Sequence, residues 1–147
     1  MDRGLAVVLT AVVGGLIALQ APINSMLGRA VGTWQAAAVS FGIGTILLVA
    51  IAVVAGGGFG TLHRATDLPW YYLTGGVLGA AYVTTVLVTV RPLGAGGVVA
   101  ATIAGQLTTA VVVDQLGVLG VARHPITAAR VGGVALLALG TFLVVRD

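Results

Sequence analysis

Cysteine, lysine and glutamate are absent from the 147-residue sequence, and charged residues make up only 7% of it. Without cysteine, disulfides, thiolate catalysis and zinc–cysteine sites are excluded. Without lysine, the glycine-rich run at 56–60 cannot be a phosphate-binding P-loop. The seven basic residues are arginines spread singly along the chain. No basic run can therefore follow a phosphate backbone, and we expect no nucleic-acid partner.

Apolar residues dominate what remains. The chain is 59% hydrophobic with a mean hydropathy of +1.13, whereas about a quarter of the residues in an ordinary globular domain are charged. So few charges cannot coat a soluble surface of this size. The composition excludes a soluble enzyme and a disordered tail, and it predicts an integral membrane protein.

Four uncharged stretches reach the roughly 20 residues that a helix needs to cross a bilayer, and a fifth does so if Arg130 extends to the headgroups. We therefore predict an all-α protein with one transmembrane domain over residues 1–147. The alternative is four helices followed by a short re-entrant or interfacial end. We expect the first stretch to be a span and not a cleaved signal peptide. The predicted helices cover about 5–27, 36–56, 70–90, 94–113 and 126–145.

The arginines favour neither orientation. With five spans, four arginines (3, 64, 123 and 130) lie on the N-terminal side and three (29, 91 and 146) lie on the other. Because arginine and lysine near span ends set orientation, this bias is almost nil. Two interpretations stay open: a protein inserted with its N-terminus inside, or dual topology with copies paired antiparallel around a midplane site.

Small residues recur at helical spacing in most of the predicted spans. Helices in lipid associate through such faces, where their backbones approach closely. The pattern predicts a helix bundle but says nothing about a substrate. The candidate packing residues are Gly14, Ala18, Gly28, Gly44, Gly75, Gly79, Gly133 and Gly140.

Polar side chains inside the spans are the candidate substrate-binding residues, because polar groups at membrane depth are costly and tend to be functional. Gln20 and Asn24 lie four residues apart and straddle Pro22, where we predict a kink or break in the helix. The others are Ser40, Tyr82 and Gln106. Hydrogen bonding between helices is the alternative role for the amides.

Asp114 is the one acid near a span that is neither terminal nor in a long loop. It is a candidate for ion or proton coupling, but pairing with Arg123 or Arg130 is the alternative. His63, Asp67 and His124 do not form a recognisable metal motif. We therefore expect no metal and no cofactor. Neither intramembrane serine lies in a sequence motif typical of a catalytic nucleophile, and we expect no enzyme activity.

Several short patterns in this order resemble the YdcZ-type inner-membrane exporters, a family of the drug/metabolite transporter superfamily. The resemblance covers nearly the whole chain. It rests on Gly15, Gln20-x-Pro22-x-Asn24-x-x-Leu27-Gly28, Ser40-Phe41-x-x-Gly44-Thr45, Pro69-Trp70-Tyr71-Tyr72, Gly75-Gly76-x-x-Gly79, Pro92-Leu93-Gly94, Gly105-Gln106, Asp114, Gly133 and Gly140.

The resemblance implies a five-helix unit equivalent to half of a ten-helix inverted-repeat transporter, acting as an antiparallel dimer in a bacterial inner membrane. From it we expect a small-molecule exporter whose partners are lipid, a second copy of itself and its substrate. A non-transporting scaffold, or one subunit of a heteromeric transporter, is the alternative. Gln115 stands where the family often carries histidine after the aspartate.

Overall fold

The computed structural model describes residues 2–146, and the regular structure within them is entirely helical. Helix α1 covers Arg3–Val31, and α2 covers Thr33–Val54. Two short 3₁₀ helices, Leu62–Asp67 and Trp70–Leu73, lead into α3 at Thr74–Leu116. Helix α4 covers Ala128–Val145. The predicted all-α class is confirmed.

The helices are suited to lipid. Four segments of the described residues are long and apolar enough to cross a membrane: α1, α2, the stretch Trp70–Leu116, and α4. Most of their large apolar side chains are exposed, while few residues are buried between helices. Such surfaces would be unstable in water but match the acyl chains of a bilayer.

Helix α3 contains a break that accounts for its length. Its 43 residues would extend for about 65 Å if straight, roughly twice the hydrocarbon thickness of a bilayer. At Gly94 the backbone leaves the helical region, with φ 68° and ψ 167°, a conformation that is essentially restricted to glycine. The break separates arms at 74–93 and 95–116, so the described residues contain five α-helical segments besides the two 3₁₀ helices. Pro92, which has no N–H to donate, lies just before the break.

The predicted helices at 5–27 and 36–56 leave a connection at 28–35, and that prediction is wrong. Helix α1 continues to Val31 and α2 begins at Thr33, so that only Gly32 stands between them. Gly32 has φ 98° and ψ 150°, again a conformation that other residues rarely adopt. Because one glycine can redirect the chain in this way, the two helices need no longer loop.

Pro22 does not interrupt its helix, so that of the predicted kink or break the break is absent. Helix α1 runs continuously from Arg3 to Val31 with Pro22 inside it. Proline removes one helical N–H donor, but membrane helices tolerate this loss when neighbouring groups are satisfied. The interruption at Gly94 falls instead at the predicted boundary between the helices at 70–90 and 94–113.

The chain divides into two compact units, one ending at Arg91 and the other beginning at Pro92. In the first unit α1 packs against α2. The contacting face of α1 carries the buried residues Ala21, Asn24, Ser25 and Gly28, and α2 contributes Ala36 and Ala37. These small side chains bring the two backbones close together, as is typical of helix pairs in membranes. Leu87 and Val83 complete this core.

In the second unit, α4 is held against the 95–116 arm by a hydroxyl–carbonyl hydrogen bond and by close glycine contacts, in addition to the ion pair described below. Thr141 Oγ1 donates to the carbonyl of Ala100 at 3.0 Å, which links α4 to the 95–116 arm. A Cβ at Gly96 would lie 3.9 Å from the Val144 side chain, and one at Gly97 would lie 3.4 Å from Val145. Glycine therefore allows the arm and α4 to approach at this end.

Only some of the predicted packing residues face a neighbour in the described chain. A Cβ at Gly28 would lie 3.7 Å from Ala36 Cβ, and one at Gly79 would lie 3.7 Å from Phe41. Ala18 is half-buried. Apart from the adjacent backbone of its own helix, nothing in residues 2–146 lies within 4 Å of a Cβ placed at Gly14, Gly44, Gly75, Gly133 or Gly140.

The size of the residue at position 28 should control the α1–α2 contact. Gly28→Ala is expected to be tolerated, because its Cβ meets neighbours only at 3.7 Å and beyond. Gly28→Leu should lower the free energy of unfolding by about 1–2 kcal/mol, because the larger side chain must displace Ala36 or Leu87. Unfolding in mixed micelles of mild detergent and SDS measures both variants. Equal stability of the two would show that this contact is loose.

Candidate functional site

A polar cavity in the first unit lies beside the α1–α2 contact. Its volume is about 190 Å³, and its polar lining comes from Gln20, Ser40 and Thr45. Apolar lining comes from Phe41, Leu48 and Val83, with Gly44 alongside. A few convergent polar groups on an otherwise apolar wall are typical of small-molecule sites.

Two of the predicted binding residues bond to each other. Asn24 Nδ2 donates to Ser40 Oγ at 3.1 Å, and Asn24 is only 7% exposed. This bond joins the middle of α1 to α2 in surroundings where an unpaired amide would be costly. Asn24 therefore stabilises the wall of the cavity, and Ser40 belongs both to that bond and to the lining.

Gln20 differs from Asn24, although it lies one turn away on the same helix. It makes no hydrogen bond to any described residue, and it lines the cavity. Thr45 shares both properties, whereas Thr10, Thr84 and Thr89 donate to carbonyls of their own helices. Gln20 and Thr45 are thus the polar groups of this cavity that remain available to a ligand.

Tyr82 does not line either of the two cavities described here. It is half-buried and packs against the cluster formed by Ala37, Val83 and Leu87. Val83 belongs both to this cluster and to the cavity lining. Tyr82 therefore packs against residues that form the cavity wall without lining the cavity itself. The aromatic ring is a packing contact in the described chain.

Gln106 lies in a separate cavity of the second unit. This cavity has a volume of about 510 Å³, and its polar lining comes from Gln106, Thr109 and Asp114. The remaining lining is small or apolar and includes Ala110, Val113 and Val121. Residues 106, 109 and 114 share this cavity because they fall on one side of the 95–116 arm.

Asp114 is paired with Arg130, one of the two partners that the sequence proposed. Arg130 Nη1 lies 3.1 Å from Asp114 Oδ2. The arginine is placed by the start of α4, where Thr127 accepts a hydrogen bond from the Arg130 N–H. That capping residue also explains why α4 begins at Ala128 and not at 126.

The connection between α3 and α4 is bonded back onto the end of α3. The side-chain oxygen of Gln115, Oε1, accepts a hydrogen bond from the Ile126 N–H at 2.7 Å. The backbone carbonyl of Gln115 accepts one from Arg123 Nε at 3.0 Å. The His124 N–H donates to the carbonyl of Asp114 at 2.8 Å. These bonds place Val121 over the cavity and hold Arg130 close to Asp114.

Thr45 and Thr109 line the two cavities but were not among the predicted binding residues. A membrane threonine usually bonds its own helix, and its presence in a span therefore predicts no site. Arg130 was expected merely to extend to the headgroups or to pair with the acid. No sequence signal distinguishes a threonine that faces a cavity from one that bonds its helix.

No group of metal-ligating side chains is present in residues 2–146. The described histidine, aspartate and other ligand types do not form a set of three that could hold an ion. His63 Nδ1 instead contacts the carbonyl of Gly60 at 2.9 Å, and His124 Nδ1 contacts that of Ala122. Both rings therefore have local backbone partners.

One protein family matches the chain, over residues 5–143 and thus over most of the described structure. Its description is "Putative inner membrane exporter, YdcZ". The match confirms the resemblance drawn from the ordered glycine, proline and amide patterns. Among curated proteins and among solved structures, nothing matches the chain.

Proposed function

Since the chain belongs to the YdcZ inner-membrane exporter family, we propose that it is a secondary transporter of small molecules in a bacterial inner membrane. It is a membrane protein of an exporter family, which is not a class of enzymes. The observation that carries the transport proposal is the first-unit cavity, in which Gln20 has no hydrogen-bond partner among the described residues. An unpaired amide at membrane depth is costly unless a ligand or water uses it.

Each unit is proposed to bind ligands through the available polar groups of its own cavity. Gln20 and Thr45, with Ser40, would bind substrate in the first unit, while Gln106 and Thr109 would do so in the second. Asn24 and Tyr82 support the first site by fixing its wall. Because hydrogen-bonding groups predominate, a polar metabolite is favoured over a purely apolar compound.

The functional unit is proposed to be an antiparallel homodimer of dual topology. Two observations support this assembly. On the predicted five-span topology the arginines are divided four to three between the two sides, a bias too small to select one orientation. Several small-residue positions, among them Gly14, Gly75 and Gly133, also meet nothing within the described chain beyond the adjacent backbone of their own helix. An inverted copy would supply the second half of a transporter that alternates access by rocking.

The scaffold alternative has one observation in its favour. The hydrogen bond between Asn24 and Ser40 shows that two of the predicted site residues hold helices together. A scaffold would need the packing faces but would tolerate leucine at Gln20. Transport requires the opposite result, so that Gln20→Leu decides between the two functions.

Orientation can be measured with single cysteines, since the chain has none of its own. Gly60→Cys and Ala30→Cys suit the two sides, because Gly60 has open space around it and Ala30 is exposed. Gly32 and Gly58 are poorer choices, because cysteine is strained at their positive φ. Dual topology predicts that a membrane-impermeant thiol reagent labels about half of each variant on intact cells.

Cell lysis supplies the control, since both variants should then label completely. Full protection of one site and full labelling of the other on intact cells would mean a fixed orientation. A homodimer of inverted copies would then be excluded, and the functional unit would require an oppositely oriented partner subunit.

A further inference from the structure

The second-unit cavity is lined by the carboxylate of Asp114, whose ion-pair partner Arg130 lies 3.1 Å away, and the proposed transport of a polar metabolite uses neither charge. It has a volume of about 510 Å³, within the range of sites for small molecules. Its lining combines the carboxylate of Asp114 with the amide of Gln106 and the hydroxyl of Thr109. The first-unit cavity has no charged group in its lining.

The two uncharged polar groups of this cavity are available to a ligand. Neither Gln106 nor Thr109 makes a hydrogen bond to any described residue. The adjacent Thr108 does, since its hydroxyl donates to the carbonyl of Ala104 at 2.7 Å. Thr109 therefore differs from Thr108 in facing the cavity and retaining its hydroxyl for another partner.

The ion pair beside these groups is only partly satisfied. A single contact joins it, between Arg130 Nη1 and Asp114 Oδ2. The side chains are 34% and 28% exposed, and a carboxylate and a guanidinium can each make several further hydrogen bonds. Both charges can therefore accept a ligand group without losing the backbone bonds that hold the α3–α4 connection.

The charge of the pair limits what can bind there. A purely cationic ligand that displaced Arg130 from Asp114 would leave the arginine without its counter-charge, and a purely anionic ligand that displaced Asp114 from Arg130 would do the same to the carboxylate. Unpaired charges at the end of a membrane span are unfavourable. A ligand that carries both charges avoids this cost, because its cationic group replaces Arg130 beside Asp114 and its anionic group replaces Asp114 beside Arg130.

We propose that this cavity binds a zwitterion with a primary ammonium and an acid anion, the ammonium on Asp114 and the anion on Arg130. The rest of the molecule contacts Gln106 and Thr109. The inference deepens the proposed transport function and rests on it for the fate of the ligand, although binding is measurable without transport. Two sources share this chemistry: free amino acids and the headgroup of phosphatidylethanolamine.

Ligand binding is tested on the full chain in phosphatidylglycerol nanodiscs, which contain no ammonium headgroup. The twenty protein amino acids are added one at a time, and melting temperature and calorimetry report binding. At least one should bind, while its amide, which lacks the α-carboxylate, and its N-acetyl derivative, which lacks the α-ammonium, should bind at least roughly tenfold more weakly. In the second arm, nanodiscs with phosphatidylethanolamine should raise the melting temperature if the lipid is the ligand, and phosphatidylcholine should not.

Variants then test the ion pair. Asp114→Asn with Arg130→Gln keeps neutral side chains of similar size, and it should weaken binding roughly tenfold or more. Arg64→Gln with Asp67→Asn is the matched control, since it removes the same two charge types from the 3₁₀ segment of the first unit. If the first variant fails to fold, Asp114→Arg with Arg130→Asp retains a pair but reverses the charge at the cavity, and it should also weaken binding.

Three results would overturn the inference: no response to any amino acid or to phosphatidylethanolamine, equal binding of the amide and N-acetyl derivatives, or unchanged binding by the pair variants. Failure of transport gives a different pattern. A zwitterion that binds through Asp114 and Arg130, but is never exported by cells, would contradict the transporter proposal and leave this site intact. Export of an uncharged metabolite without any zwitterion binding would do the reverse.

Discussion

Replacing Gln20 by leucine is expected to reduce export roughly tenfold or more, because a ligand group left without its hydrogen-bond partner costs about 1–3 kcal/mol. Gln20 is the amide of the first-unit cavity that has no hydrogen-bond partner among the described residues. Its replacement therefore breaks no hydrogen bond within the described chain. The protein should reach the membrane at the normal level and unfold at the normal temperature.

Export is measured as the difference in metabolites in the medium, by mass spectrometry, between cells that express the protein and cells that do not. Whatever metabolite the wild type adds to the medium, Gln20→Leu should return to the background level. Gln35→Leu is the matched control, since it makes the same change at an exposed position near the start of α2. It should export normally.

Thr45→Val gives an independent test of the same cavity. Thr45 lines it and makes no hydrogen bond to the described chain, whereas Thr10 donates to the Ala6 carbonyl at 2.8 Å. Loss of export in Thr45→Val but not in Thr10→Val would place the substrate in this cavity. Normal export by both Gln20→Leu and Thr45→Val would contradict the proposed site, and dependence on Gly28 alone would favour the scaffold.

Gly32→Ala is expected to destabilise the protein by about 3 kcal/mol, near the upper end for a residue forced into this backbone region. Gly32 is the single residue between α1 and α2, with φ 98° and ψ 150°. An added Cβ would also overlap the Gln35 side chain. Both effects act on the helix pair that forms the first-unit cavity, so stability and export should fall together.

The two effects can be separated. Gln35→Ala removes the overlap, because the contact is with the far end of a flexible side chain. If the backbone dominates, Gly32→Ala should remain destabilised in a Gln35→Ala background. Gly42→Ala is the matched control, since it has open space and no positive φ. SDS titration measures all four variants, and wild-type stability of Gly32→Ala would show that α1 and α2 are joined by a different backbone path.

The site was predicted less completely than the helices. Gln20, Ser40 and Gln106 were identified from polarity at membrane depth, and the structure places each of them in a cavity lining. The same polarity also selected Asn24, which the structure uses in a bond between helices. An amide that binds substrate and one that joins two helices look the same in the sequence. They differ only in whether a side chain of a neighbouring helix lies within hydrogen-bonding distance, as Ser40 does for Asn24.

Membrane class, helical character and approximate spans were determined by the sequence alone. These properties depend on the hydrophobicity and length of continuous segments, because a bilayer requires each span to satisfy its own backbone. The sequence predicted less accurately which single residues interrupt a helix. Pro22 is accommodated within α1, while Gly32 and Gly94 interrupt the helical backbone, and which glycine leaves the helical region depends on how the flanking helices pack.

Only the tertiary structure decided which polar groups are engaged. Asn24 meets Ser40 and Asp114 meets Arg130, each across 16 residues of chain, whereas Gln20, Thr45, Gln106 and Thr109 keep their hydrogen-bonding capacity for the two cavities. The physical reason is that partnership depends on which side chains lie within about 3 Å of each other. That distance is set by the path of the Gly32 junction and the 117–127 connection, and not by the local composition of any span.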